Sequence, residues 1–357
     1  LLSLVPAKAY RLPICTLGQT RRSIVMVSDP ALVRRLMTDD LERYPKSDLM
    51  QDALRPLIGD SIFVSGGDTW ARQRRMINPA FTHMKVSTAF HAMQAALEDA
   101  LPALDRQCAS GEPLSLDLMT SHLTADAITR TVFSTPLSSQ TARAVFESFI
   151  VFERSVAQVK LLPMIVAPAF ANTPQSPEVL AACARIRELL GQLVDDHAHA
   201  AQDDIAASIR EAQDEEGKAF TRDELIDQIG VMFLAGHETT ASALTWILYL
   251  TSLVPAVRER LRAEIRAVAG DGPLTYEHTR ELQYVRNVFR ETLRLYPPIT
   301  FMPRVALEAD VLGGRRIRRG ALIMISPWVM HRHKSLWHDP DTFDPDRFSP
   351  EREDAIV

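Results

Sequence analysis

Residues 221–254 read TRDELIDQIGVMFLAGHETTASALTWILYLTSLV, and this stretch decides the fold class. Thr221 and Glu224 have the spacing of a capping box, in which each side chain binds a free amide of the first helical turn. The apolar pattern then continues to Val254 without a helix breaker, and Pro255 suits the first position of another helix. We therefore predict one unusually long helix in a mainly α protein.

Inside this helix, the segment AGHETT (235–240) places polar groups where they are costly unless they are partnered. Gly236 leaves room for a flat group to approach the backbone. The Thr239 hydroxyl can bond to the Ala235 carbonyl four residues earlier, which loosens the helical ladder at that point. Glu238 followed by Thr239 indicates either a proton relay or a helix kink stabilised by threonine.

A second helix ends at Pro297-Pro298 and carries Glu291 and Arg294, which share one face and can pair. Exposed pairs with this spacing are common and weak. Arg347, in FDPDRF (343–348), could complete a buried Glu–Arg–Arg cluster. The Glu291–Arg294 pair therefore indicates a buried structural cluster only if Arg347 binds to it as well.

Trp70 and Arg74 lie one turn apart on a predicted helix that follows GGD (66–68). An indole N–H and a guanidinium on one face form a good clamp for a carboxylate. The alternative is a tryptophan anchor on a helix with a solvated basic side.

Strand patterns occupy a minority of the chain. RSIVMVS (22–28) is a β-type run that ends at Asp29-Pro30, where a helix begins. Residues 299–330 alternate short β-like runs with Gly and Pro, as in GGRRIRRGALIMI (313–325). The four arginines of that run indicate either a polar hairpin turn or a phosphate-binding patch.

The composition excludes several classes of protein. With 40 Lys and Arg against 45 Asp and Glu in 357 residues, the net charge is −5, which does not favour nucleic acid or an anionic membrane as the main partner. Three scattered cysteines, Cys15, Cys108 and Cys183, cannot form a disulfide framework or a CxxC metal site. The longest uncharged stretch, residues 239–257, is interpreted as a buried helix and not as a membrane span.

Several catalytic signatures are absent from the sequence. His237-Glu238 is not a zinc-protease motif, because Ala241 stands where HExxH requires its second histidine. Neither GxSxG nor GxGxxG occurs, and Gly217-Lys218 lacks the other residues of a phosphate loop. Hydrolase, kinase and nicotinamide dehydrogenase interpretations therefore lose their usual support.

Taken together, WARQR (70–74), AGHETT (235–240), ETLR (291–294) and PDRF (345–348) resemble the cytochrome P-450 superfamily of haem-thiolate monooxygenases. The segments stand in the order of that family, and the resemblance covers residues 22 to 350. It implies a cytochrome P-450 fold, with a large helical domain and a small β-rich subdomain.

The resemblance also implies roles for individual residues. Trp70, Arg74 and Arg304 would hold the haem propionates, and Ala235 and Gly236 would line one face of the haem. Glu238 and Thr239 would deliver protons during dioxygen activation. The structural triad would consist of Glu291, Arg294 and Arg347. The segments that contact substrate in the family would correspond to Phe63, Ile299, Thr300 and Phe301.

One departure from the family concerns the haem ligand, which is a cysteine in a loop some tens of residues after the PDRF-like motif. None of the three cysteines stands in that context, so no metal ligand is assigned within the chain. We expect that residues 1–357 form a single cytochrome P-450 domain that lacks an N-terminal segment and the cysteine loop.

The expected activity of the full-length parent is insertion of one oxygen atom from O2 into an apolar organic substrate. Haem b is the expected cofactor, and NAD(P)H-derived electrons would come from a separate ferredoxin or flavodoxin/reductase. We expect a monomeric, cytoplasmic, bacterial enzyme with no nucleic-acid partner and no membrane span. The alternatives are a peroxide-driven or isomerising family member and a non-catalytic binding protein without the haem loop.

Overall fold

The computed structural model describes residues 2–19, 23–81, 83–156, 175–198, 204–353 and 356. These residues divide into two compact units. The first unit contains the residues up to Ser47 and those from Ser242 onward, and the second contains those between Asp48 and Ala241. The assignment of residues 1–357 to one family domain stays a prediction.

The fold is mainly helical with a small sheet region, which confirms the predicted fold class. The described helices are α1 Pro30–Arg34, α2 Asp48–Ile58, α3 Gly67–Ile77, α4 His83–Ser110, α5 Leu116–Phe133, α6 Gln140–Val156, α7 Pro177–Ala198, α8 Ile205–Glu211, α9 Arg222–Leu253, α10 Pro255–Ala269, α11 His278–Glu281, α12 Gln283–Leu295, α13 Pro327–Met330 and α14 Pro350–Glu353. The described strands are β1 Ile14–Gln19, β2 Ser23–Val27, β3 Met302–Val305, β4 Asp310–Leu312, β5 Arg315–Ile317 and β6 Leu322–Ile325.

The sheet of the first unit has the strand order β1-β2-β6-β3. Strand β6 pairs in parallel with β2 and antiparallel with β3, and β1 pairs antiparallel with β2. All four residues of β6 are buried, as expected for a central strand that is covered on both faces. The predicted run at 22–28 forms β2, and Asp29 caps α1 by accepting a hydrogen bond from the Leu32 amide at 2.9 Å.

Strands β4 and β5 form the polar hairpin that the sequence suggested. Gly313 and Gly314, at its turn, have φ angles of +50° and +77°, which favour glycine. A Cβ on Gly313 would also lie 2.8 Å from the Ile14 Cδ1. The hairpin is therefore fixed both by backbone conformation and by close packing against β1.

Helix α9 begins with the predicted capping box. The Thr221 amide donates to the Glu224 Oε2 at 2.8 Å, and the Glu224 amide donates to the Thr221 Oγ1 at 3.2 Å. The helix runs for 32 residues, and α10 begins with Pro255 as predicted. In the second unit α9 contributes Phe233 to the apolar core, where its ring lies 4.6 Å from that of Phe149 on α6.

The prediction of a buried helix over residues 239–257 is wrong in part. Helix α9 ends at Leu253, and its last turns bury Ala243 and Leu250 but expose Tyr249 (45%) and Leu253 (60%). Only one face of this stretch is therefore packed. Among the described residues, no helix alone has the length and apolarity to cross a membrane, whereas α9 and α10 together, bent by 112°, satisfy those two criteria.

Candidate functional site

The acid–alcohol segment lies on α9, within the second unit. The Thr239 hydroxyl donates to the Ala235 carbonyl at 2.6 Å, as predicted from the sequence. The α-helix nevertheless continues through the segment without a break. Glu238 is exposed and Thr239 is partly exposed, so both side chains are accessible. The arrangement provides a carboxylate next to a hydroxyl whose own proton already has an acceptor.

Gly236 has a packing role in the structure. A Cβ at this position would lie 2.6 Å from the Cδ1 of Ile128, which is on α5. The side chain of Ile128 thus occupies the space that the missing side chain leaves. The contact joins residues more than a hundred positions apart, so the sequence pattern does not predict it. The predicted places of Ala235 and Gly236 beside a haem stay predictions.

We expect Gly236→Ala to lower the free energy of unfolding by about 1 kcal/mol, because overpacking costs more than the gain in helix propensity returns. Combining it with Ile128→Val, which removes the Cδ1, should recover that loss in a double-mutant cycle measured by urea unfolding. Strictly additive effects of the two substitutions would contradict the proposed contact.

His237 is buried among aromatic rings in the second unit. Its ring centroid lies 5.3 Å from that of Phe146 on α6 and 5.8 Å from that of Phe233 one turn earlier. The sequence excluded His237 from a zinc-protease motif but did not predict its aromatic surroundings. Within the described ranges, no group of three or more His, Cys, Asp or Glu side chains could hold a metal ion.

Helix α3 carries Trp70 and Arg74, the two residues of the predicted carboxylate clamp. Arg72 pairs with Asp214 at 2.6 Å, and Arg75 pairs with Glu215 at 3.1 Å. Arg74 is exposed, and in the part of the chain that the structure describes it has no ion pair. Trp70 is half-buried one turn before it. Arg74 is thus the arginine of α3 that can bind an external anion together with the Trp70 indole.

Arg304 lies on β3, in the first unit. Its Nη2 lies 3.2 Å from the Met37 Sδ, and its buried Nε has no hydrogen-bond partner among the described residues. Burial lowers the pKa of its guanidinium below the usual value. A cation in this position would be stabilised by an anion, and the described residues provide none beside the Arg304 Nε.

Glu291 on α12 is the centre of a buried ion network in the first unit. Its Oε2 accepts from the Arg294 Nε at 2.7 Å, and its Oε1 accepts from the Arg294 Nη2 at 2.8 Å. The same Oε1 accepts from the Arg347 Nε at 3.3 Å and from the Asp344 amide at 2.8 Å. Glu291, Arg294 and Arg347 are exposed by at most 6%. The structure therefore brings together the three residues that the sequence grouped.

Two guanidinium groups share this one carboxylate, and backbone carbonyls accept most of their other N–H groups. Those that accept from Arg294 belong to His331, Pro340 and Thr342, at 2.8, 2.6 and 3.0 Å. Those that accept from Arg347 include His338 and Asp339. The network therefore fastens the loop over residues 331–342 to α12. Sequence reasoning missed these acceptors, because a backbone carbonyl leaves no signal in the sequence.

The residues predicted to contact substrate are divided between the two units. Phe63 belongs to the second unit and is 39% exposed. Ile299, Thr300 and Phe301 precede β3 in the first unit, and Ile299 is 47% exposed. The Thr300 carbonyl accepts a hydrogen bond from the Ser326 hydroxyl at 2.8 Å. Their contact with substrate stays a prediction.

The family model and the relatives of known name agree on one protein family. The family model described as Cytochrome P-450 matches residues 7–356. Cyclooctatin synthase of Streptomyces melanosporofaciens is 30% identical over 354 residues, which cover 94% of this chain and 73% of the relative. Cytokinin hydroxylase of Arabidopsis thaliana is 28% identical, with coverage of 87% and 62%.

This chain spans only part of the length of its relatives, and solved structures of similar fold are known. The chain spans 56% of the Arabidopsis protein Lutein Deficient 5, chloroplastic, with 29% identity over 90% of this chain. A crystal structure of a cytochrome P-450DA heme domain has a TM-score of 0.82 at 24% identity and covers 96% of this chain and 76% of its own. At this identity the likeness of the structures shows the fold.

Proposed function

Because the chain belongs to the cytochrome P-450 family, a family of haem monooxygenases, we propose that the whole protein inserts one oxygen atom from O2 into an apolar organic substrate. The relatives support this assignment, since their names include monooxygenases and hydroxylases. NAD(P)H-derived electrons would come from a separate ferredoxin or flavodoxin/reductase.

Two arginines, one in each unit, have the chemistry that a haem propionate requires. Arg304 supports this, since its buried Nε has no partner among the described residues and its environment favours an anion. Arg74 supports it as well, since both neighbouring arginines of α3 pair with carboxylates, whereas Arg74 pairs with none of the described residues. Arg304, Arg74 and Trp70 would bind the propionate carboxylates through charge-assisted hydrogen bonds.

Haem, when bound, supplies the redox chemistry of dioxygen activation. The chain's part in that chemistry is the movement of protons along α9. The exposed carboxylate of Glu238 can exchange protons with water. Because the Thr239 proton is donated to the Ala235 carbonyl, the two lone pairs of the Thr239 oxygen can accept a hydrogen bond from a water molecule and hold that water in place to carry a proton from Glu238. We assign proton delivery to these two residues.

The Glu291 network has a separate task in this proposal. By fastening residues 331–342 to α12, it fixes the approach of the chain to the PDRF segment. In the family the loop that carries the haem ligand follows that segment. The network would therefore position the ligand loop without taking part in the chemistry.

The observation that carries the dioxygen-dependent assignment is the 2.6 Å bond from Thr239 to Ala235, next to the exposed Glu238. Thr239→Ala should lower the product formed per electron consumed by about tenfold, because the hydroxyl oxygen that positions the proton-carrying water is lost. The measurement is product yield per NAD(P)H oxidised, at saturating substrate with a reconstituted electron donor.

Thr240→Ala removes an exposed hydroxyl from the neighbouring position and serves as the matched control, and Thr239→Ser keeps the hydroxyl. Both should retain the parent yield. An unchanged yield in Thr239→Ala would contradict the relay. Product formation with peroxide that needs no reductase in any variant would instead favour the peroxide-driven alternative.

A further inference from the structure

A concavity with a volume of about 690 Å³ lies in the first unit, beside strands β1 and β2 and the β4–β5 hairpin. Its lining includes none of the residues assigned to haem or to proton delivery. The polar groups that line it are concentrated on the hairpin and on the two neighbouring strands. These residues are Thr16, Ser23, Asp310, Arg316, Arg318 and Arg319.

The concavity has an excess of positive charge. Within the described ranges, neither Arg316 nor Arg318 forms an ion pair. The acidic member of the lining, Asp310, is already occupied, since its Oδ2 accepts from the Arg35 Nη2 at 2.9 Å and from the Tyr44 hydroxyl at 2.6 Å. Burial acts to raise the pKa of Asp310, but the Tyr44 hydrogen bond and the charge of Arg35 outweigh it and lower the pKa.

The fold holds these arginines in a defined arrangement. Ile317 is buried, so strand alternation places the preceding residue, Arg316, on the opposite face of β5, where it is exposed. The carbonyl of Arg318 accepts from the Ala321 amide at 3.0 Å, which closes a turn. The Arg319 Nε donates to the Leu307 carbonyl at 3.1 Å. The guanidiniums thus project from a hairpin whose backbone is fixed.

We propose that this concavity binds a phosphate group. Guanidinium groups recognise phosphate through paired, charge-assisted hydrogen bonds, and the Thr16 and Ser23 hydroxyls add neutral donors. Val25, Val311 and Ile317 also line the concavity and form an apolar wall, which suits the organic part of a phosphate ester. The phosphate belongs either to a free phosphate compound or to a phospholipid headgroup.

The test uses the full-length protein, one double arginine variant and one single arginine variant, with inorganic pyrophosphate as the probe in titration calorimetry at low ionic strength. Arg316→Gln/Arg318→Gln should weaken pyrophosphate binding by at least about tenfold, because two phosphate contacts are lost. Arg315→Gln is the matched control, since Arg315 is exposed on the same hairpin but does not line the concavity. That variant should bind within about twofold of the parent.

A second arm measures sedimentation with vesicles of phosphatidic acid in phosphatidylcholine, and with phosphatidylcholine alone. Binding of pyrophosphate that depends on Arg316 and Arg318 identifies a free phosphate compound as the ligand. Binding confined to phosphatidic acid vesicles, with the same dependence, identifies a lipid phosphate. Absence of binding in both arms, or an equal loss in Arg315→Gln, would overturn the proposal.

Discussion

Glu291→Ala is expected to abolish haem retention and to lower the free energy of unfolding by about 3–5 kcal/mol, because it leaves two buried guanidiniums without their shared carboxylate. Four hydrogen bonds to Glu291 are lost, from Arg294, Arg347 and the Asp344 amide. The loop over residues 331–342 should then separate from α12. The measurements are haem absorbance per mole of purified protein and urea unfolding of the haem-free protein.

Glu353→Ala is the matched control for this prediction. Glu353 pairs with Arg290 on the same helix α12, but both side chains are more than a third exposed. Its loss should change the free energy of unfolding far less than Glu291→Ala does, because the pair is exposed and screened by water. Glu291→Gln keeps the shape of the side chain and one hydrogen-bond acceptor. Its loss of unfolding free energy should therefore lie between those of Glu291→Ala and Glu353→Ala. A Glu291→Ala protein with normal haem content and parent stability would refute the structural role of the network.

Replacing Arg304 by methionine is expected to have opposite effects on the haem-bound and the haem-free protein. Without haem, the substitution removes a buried Nε that has no partner among the described residues, so the free energy of unfolding should rise by about 1 kcal/mol. With haem, it removes a propionate contact, so haem should dissociate about tenfold faster. The two measurements are urea unfolding of the apoprotein and haem transfer to excess apomyoglobin.

Arg315→Gln again provides a control, since this exposed arginine should change neither quantity. A purely structural role for Arg304 would destabilise the haem-bound and haem-free proteins together. That outcome, or an unchanged rate of haem loss, would contradict the assignment of Arg304 to a propionate.

The sequence predicted those parts of the fold and of the site that depend on residues close together in the chain. The capping box of Thr221 and Glu224 and the back-bond from Thr239 to Ala235 each span three or four residues. Glu291 and Arg294 also follow from helical spacing. Arg347 could be added to them only because its motif was recognised.

Contacts between distant segments could not be predicted in this way. The fit of Ile128 against Gly236, the aromatic surroundings of His237 and the carbonyls around Arg294 depend on how separate elements pack. The partly exposed end of α9 was missed for the same reason, because an apolar run does not tell which of its faces finds neighbours. The phosphate-binding alternative for the arginine-rich hairpin likewise required the observation of a concavity beside it.

The most direct test of the account is the absorption spectrum of the purified full-length protein, reduced in the presence and absence of carbon monoxide. A monooxygenase of this family should be a haem protein with a red-shifted Soret band of the thiolate type, since thiolate ligation is what favours cleavage of the O–O bond. A colourless protein, or a spectrum typical of imidazole ligation, would contradict the proposed monooxygenase function.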